Sequence, residues 1–179
     1  MRSAPAAVIS ALLLLLLTVQ IGIKSLASKS ELEMPATMRT LPDFQVRQVH
    51  GTGQTSFYAL AENSPCTIIV FASVSCSFCK RMRFTWRDDF SSLRDSTSLP
   101  IRSAWISPEK SDSIAVFFER VDFGDTEILQ FASDPNRLTD RFGVRATPAV
   151  YLLDRNRRLR YGIYGPRLPP ADSVKAACS

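Results

Sequence analysis

Phe71-Ala-Ser-Val-Ser-Cys76-Ser-Phe-Cys79-Lys-Arg-Met82 joins two periodicities. An apolar, β-branched run from Cys66 to Ser75 stops at a Cys-x-x-Cys, and a helical pattern begins. A cysteine at a helix start lies over unpaired backbone N–H groups and the positive end of the helix dipole, both of which favour a thiolate. Cys76 is therefore the candidate nucleophile. Cys79 falls one turn further on and deeper, close enough to bond Cys76 and resolve a mixed disulfide. Lys80, Arg81, Arg83 and Arg87 add positive potential around the pair. Two other readings compete. Half of a zinc site would need two more ligands, and Cys66, Cys178 and the single histidine, His50, stand at no zinc-like spacing, so no metal is expected. A purely structural bridge seldom sits where a strand hands over to a helix, which is the edge at which open α/β sheets bind and react.

Upstream, Leu41-Pro-Asp-Phe44 opens ordered structure. Phe44 and Val46 alternate with Gln45 and Arg47, Gly51-Thr-Gly53 supplies a turn, and Thr55 to Leu60 resumes an extended pattern, which predicts a β-hairpin. The continuous apolar run from Cys66 has the composition of a strand buried on both faces. Downstream, Cys79, Met82, Trp86, Phe90 and Leu93 share one helical stripe, leaving Arg83, Arg87, Asp88 and Arg94 to water. Leu99 to Ile106 is a second strand, Asp112 or Ser113 caps a helix through Phe117, Phe118 and Val121, and Glu127 to Ala132 is a third strand. Asp134-Pro135 reads as a cap and first helical position, with Gly143 as the stop. Thr147-Pro148 then precedes the apolar run Ala149 to Asp154. Proline cannot donate to a ladder, so it belongs at the strand entrance, where a cis bond fits. Leu159 to Tyr164 pairs back as an antiparallel strand, with Gly162 and Gly165 marking a bulge and an exit, and Pro169 to Cys178 forms a short helix.

The N-terminus reads as an export leader. Arg2 precedes an apolar run from Ala4 to Ile23 with six consecutive leucines, Leu12 to Leu17, and Ser25 and Ala27 provide a signal-peptidase pattern. An uncleaved anchor is the alternative, since about 20 apolar residues span a bilayer. Residues 1–27 are thus a signal peptide or membrane anchor, 28–40 a linker, and 41–179 one domain. The full chain carries +5, and removing Arg2 and Lys24 leaves +3. A mildly basic exported domain without an aromatic stripe points away from nucleic acid, and the cluster Arg155 to Arg160 reads as a solvated hairpin tip.

The order strand, Cys-x-x-Cys helix, strand, helix, strand, Thr-Pro strand, hairpin strand resembles the thioredoxin-like α/β fold. That resemblance implies a central mixed sheet flanked by helices with an N-terminal β-hairpin extension. Leu41-Pro-Asp-Phe44 leading into Cys76-Ser-Phe-Cys79 resembles, more narrowly, the exported, membrane-anchored redoxin-type thiol-disulfide oxidoreductases of bacterial envelopes. In that family the first cysteine attacks, the second resolves, and a cis-proline loop holds the substrate backbone. The resemblance therefore gives Cys76 and Cys79 the catalytic, redox-active roles and Thr147 and Pro148 substrate binding. It implies protein thiol and disulfide clients on the periplasmic side, a membrane thiol reductase or oxidase as redox partner, no cofactor, and a tilt toward reductant. Three positions depart from the family: Ser75 replaces a common Trp, Val70 a buried acid, and Met82 the glutamate of cytochrome-maturation members. With no acid at Val70 to take the proton of Cys79, the resolving step is expected to be slow or to rely on water.

Two other classes share this architecture. A peroxiredoxin-like peroxidase takes Thr three residues before its cysteine and Pro seven before, where this chain has Ser73 and Ile69. A thiol-based copper-binding module would use the same soft thiolates, with His50 as the available histidine. Cys66 and Cys178 are open between a small core hydrophobe with a loose terminal thiol and a bridge pinning the last helix to the sheet.

Overall fold

The computed structural model describes residues 39–49, 53–62, 64–134 and 137–179. The expected leader and most of the linker, residues 1–38, lie outside these, as do His50, Gly51 and Pro135. Among the described residues seven strands form: β1 (Gln45–Gln48), β2 (Gln54–Ser56), β3 (Cys66–Phe71), β4 (Ile101–Ser107), β5 (Glu127–Phe131), β6 (Ala149–Asp154) and β7 (Leu159–Tyr164). The helices are α1 (Phe57–Leu60), α2 (Ser77–Thr97), α3 (Ser111–Phe118), α4 (Arg137–Phe142) and α5 (Ala171–Cys178).

The strands make one mixed sheet in the order β2-β1-β5-β4-β3-β6-β7. Its centre is β3, parallel to β4 from Cys66↔Ile101 to Phe71↔Ile106 and antiparallel to β6 from Cys66↔Asp154 to Phe71↔Ala149. Every residue of β3 is buried, because alternate side chains feed two cores. Cys66, Ile68 and Val70 pack with Trp86, Phe90 and Val174 on the face covered by α2 and α5, whereas Ile69 and Phe71 pack with Phe44, Phe57 and Phe142 on the other. The apolar run thus has a partner for each side of the pleat. The buried stripe of α2 is Cys79, Met82, Trp86, Phe90, Leu93 and Thr97, extending the expected face by one residue. The indole of Trp86 donates to Thr126 Oγ1 at 2.9 Å, itself 2.6 Å from Ser103 Oγ, so these three polar groups satisfy one another.

Three expectations are corrected. The extended pattern after Thr55 stops at Ser56, and Phe57–Leu60 is one helical turn. Ser56 caps it by accepting the Ala59 N–H at 3.3 Å while donating to Asp43 at 2.5 Å, and this local capping turns the chain so that Phe57 enters the core. Helix α3 begins at Ser111 after Lys110, which makes no side-chain cap; Asp112 lies inside its first turn, where its charge suits the dipole. The β6–β7 irregularity falls between Leu152 and Leu153, opposite Tyr161 and Leu159, and Gly162 pairs regularly with Tyr151. Gly165 does mark the exit, at φ +121°.

Ordered pairing begins ahead of Leu41, since Thr40 bridges Arg158 and Leu159 N–H donates to the Arg39 carbonyl at 2.8 Å. At the other end Cys66 and Cys178 form a disulfide with Cα atoms 5.1 Å apart, tying α5 to the start of β3.

Candidate active site

Strand β3 ends at Phe71, and the chain turns at once: the Cys76 N–H donates to the Ser73 carbonyl at 3.1 Å. Cys76 becomes the N-cap of α2, its backbone extended at φ −74° and ψ 118°. In that position its carbonyl accepts the Lys80 N–H at 3.0 Å and its Sγ accepts the Cys79 N–H at 3.1 Å. Sulfur here does the work a serine hydroxyl does at an ordinary cap, and a thiolate is the stronger acceptor. Cys76 is partly exposed and Cys79 is fully buried, and both are thiols. Burial, with the Cys76 hydrogen bond added, pushes the Cys79 thiol from the ordinary 9.0 up to about 12, against a smaller pull downward from Ser73 and Thr147. One sulfur faces solvent with hydrogen-bond support, and the other keeps its proton in the core.

Thr147 and Pro148 face this pair. Their peptide bond is cis. The Cys76 thiol donates to the Thr147 carbonyl at 3.2 Å, so the chain brings the Cys-x-x-Cys and the Thr-Pro loop into contact across 71 residues of sequence. Two tyrosines that sequence reasoning passed over hold this loop. Tyr151 donates to the Phe142 carbonyl at 2.8 Å, while Tyr164 donates to the Gly143 carbonyl and accepts the Arg145 N–H at 3.1 Å. The Pro148 carbonyl in turn accepts the Gly165 N–H at 2.8 Å. Burial raises the Tyr151 phenol above its ordinary range, so it stays a donor.

A carboxylate also lies beside the turn, although none occupies position 70. Glu109 follows β4, and its Oε1 accepts from Ser73 Oγ at 2.6 Å and from the Val74 N–H at 3.2 Å, while Oε2 accepts from Ser107 Oγ. Parallel pairing of β3 with β4 sets it there, since both strands end on the same edge of the sheet. Of the cations expected around the pair, Lys80 and Arg81 are exposed and Arg81 lies over the Phe78 ring at 4.5 Å. Arg87 is paired with Asp122, which offsets its charge.

No protein-family model and no curated sequence matches the chain. Solved structures do. A protein from Chlorobium tepidum assigned as thiol:disulfide interchange protein DsbE aligns with TM-score 0.60 and 18% identity over 80% of this chain and 99% of its own. A domain from Cytophaga hutchinsonii assigned as a thiol-disulfide isomerase gives 0.61 and 18% over 74% and 87%. The thiol peroxidase of Chromobacterium violaceum gives 0.59 and 14% over 80% and 86%. The seven-stranded mixed sheet with its flanking helices and N-terminal hairpin is a thioredoxin-like α/β fold.

Proposed function

We infer that the protein is a thiol-disulfide oxidoreductase that reduces disulfides of protein clients on the periplasmic side of a bacterial envelope. The observation that carries this reading is the cap geometry: Cys76 Sγ accepts the Cys79 N–H and touches the Thr147 carbonyl, beside the cis Thr147–Pro148 bond. A client segment laid along Thr147 would bring its disulfide onto Cys76. The Cys76 thiolate attacks one client sulfur, forming a mixed disulfide and expelling the other as a thiolate, which takes a proton. Cys79 then gives up its proton and attacks Cys76 Sγ, releasing the second client thiol and leaving a Cys76–Cys79 disulfide. Two electrons have moved to the client, and a membrane thiol reductase returns them. Glu109 beside the Ser73–Val74 turn offers an acceptor through which the Cys79 proton can leave by way of water.

The reducing direction rests on the resemblance of Leu41-Pro-Asp-Phe44 and Cys76-Ser-Phe-Cys79 to the redoxin-type oxidoreductases. Supporting relatives include the assigned DsbE and thiol-disulfide isomerase structures, and the leader-like N-terminus supports export.

The test is a glutathione-buffer redox titration with alkylation and peptide mass mapping of all four cysteines. A Cys76–Cys79 midpoint at or below about −250 mV supports a reductant, and one near about −120 mV makes it an oxidant. A pair that never equilibrates overturns the redox reading.

A further inference from the structure

Between the first turns of α2 and α3 lies a groove of about 580 Å³, lined by Val74, Lys80, Arg83, Asp112, Val116 and Phe117. Its lining flanks the thiols in sequence: Val74 stands two residues before Cys76, and Lys80 directly follows Cys79. Among the described residues the large exposed apolar side chains are Phe78, Phe84 and Val116, at 51%, 65% and 70% exposure, and all three belong to α2 or α3. Of these, Val116 lines the groove, beside Val74.

Among the described residues the charge on one wall has no carboxylate partner. Lys80, Arg81 and Arg83 occupy the first two turns of α2, whose first turn holds no acid, and cations there oppose the helix dipole. Among the described residues no carboxylate pairs with any of the three, whereas Arg87 and Arg94 further along α2 are paired with Asp122 and Asp125. Arg83 is also fixed: its guanidinium lies 4.7 Å from the Phe117 ring centre and 4.5 Å from that of Phe84, and its Nε is buried with no hydrogen-bond partner. A guanidinium stacked in this way has already lost the side-chain freedom that binding a carboxylate would remove. Asp112 on the far wall sits in the first turn of α3, where that helix's own dipole offsets its charge.

Resting on the thiol-disulfide reading of Cys76, we propose that this groove docks the client polypeptide: a segment beside the client's reactive cysteine, with an acidic side chain on Arg83 and Lys80 and an apolar one on Val116 and Val74. The groove selects which disulfides reach Cys76, in addition to the backbone contact at Thr147.

Binding is measured without electron transfer. The chain carrying Cys76→Ser and Cys79→Ser is titrated, by heteronuclear NMR, with a cysteine-free peptide that places Glu beside Leu and with a matched peptide that has Lys for Glu. The acidic peptide is expected to shift the amides of Val74, Lys80, Arg83 and Val116 and to bind about tenfold more tightly than the basic one, with Arg83→Gln removing most of that preference. Because Arg83 packs between two rings, Val116→Asp on the exposed wall provides a second variant and should weaken the acidic peptide alone. Equal binding of the two peptides, shifts confined to other surfaces, or a preference for anionic phospholipid vesicles over the acidic peptide would overturn the proposal. None of these results depends on the glutathione titration, so docking and redox activity fail separately.

Discussion

Glu109 holds the turn that positions Cys76, because its two oxygens take the Ser73 hydroxyl, the Val74 amide and the Ser107 hydroxyl together. Glu109→Ala leaves those donors without their charged acceptor and should destabilise the fold by about 1 to 3 kcal/mol in urea unfolding. It should also slow release of a trapped mixed disulfide, while Glu109→Gln, which keeps one carbonyl acceptor, should fall between. Cys79 gives a pH signature. In the reduced protein an unfolded Cys79 loses its proton near 9.0 and the folded one holds it to about 12, so in that window the folded state binds more protons. The contribution is intact below the unfolded value and is lost as pH rises, by at most about 1.4 kcal/mol per pH unit. Denaturant midpoints of the reduced protein should therefore fall above pH 9, and less steeply in Cys79→Ala. Burial raises Tyr151 as well, so a residual slope remains. Cys76, Cys79, Thr147 and Pro148 were legible because each is marked by its immediate neighbours. Glu109 was not, since only the parallel register of β3 with β4 brings it to the turn.

Among the elements, those with a long period were the legible ones. Helix α2 runs for 21 residues with one buried stripe from Cys79 to Thr97, and the apolar run of β3 fills both faces, so neither has a competing reading. Helix α1 has four residues, too few to show a period, and its conformation depends on the contact of Ser56 with Asp43. The β6–β7 irregularity depends on which residues oppose one another, which a single strand does not encode. Helix α5 has its own anchors in buried Val174 and Ala177, and the Cys66–Cys178 bond adds a closure across 112 residues. In the chain-entropy picture such a loop is worth about 4 to 5 kcal/mol. Cys178→Ser should accordingly lower the melting temperature by roughly 10 to 20 °C with turnover at Cys76 unchanged, as scanning calorimetry and a disulfide-reduction assay would read.

At the scale of the whole molecule, β3 separates two pairs of sulfurs, with Cys66 at its first residue and the turn to Cys76 after its last. Six residues of strand span about 20 Å, too far for exchange between the pairs. Cys66 and Cys178 are both buried, at 1% and 5% exposure, while Cys76 is open to solvent. A dithiol reductant such as dithiothreitol should therefore reduce Cys76–Cys79 while Cys66–Cys178 survives until denaturant is added, a sequence that mass mapping of alkylated peptides would follow. The same closure has a mechanical meaning. A chain drawn out from Arg39 and Ser179 could pay out β1, β2 and α1, but everything between Cys66 and Cys178 is a closed ring, withholding on the order of 380 Å of extended length. Cys76, Cys79 and the Thr-Pro loop all lie within that ring, so tension applied at the ends would pass through the sulfur–sulfur bond and leave them unloaded.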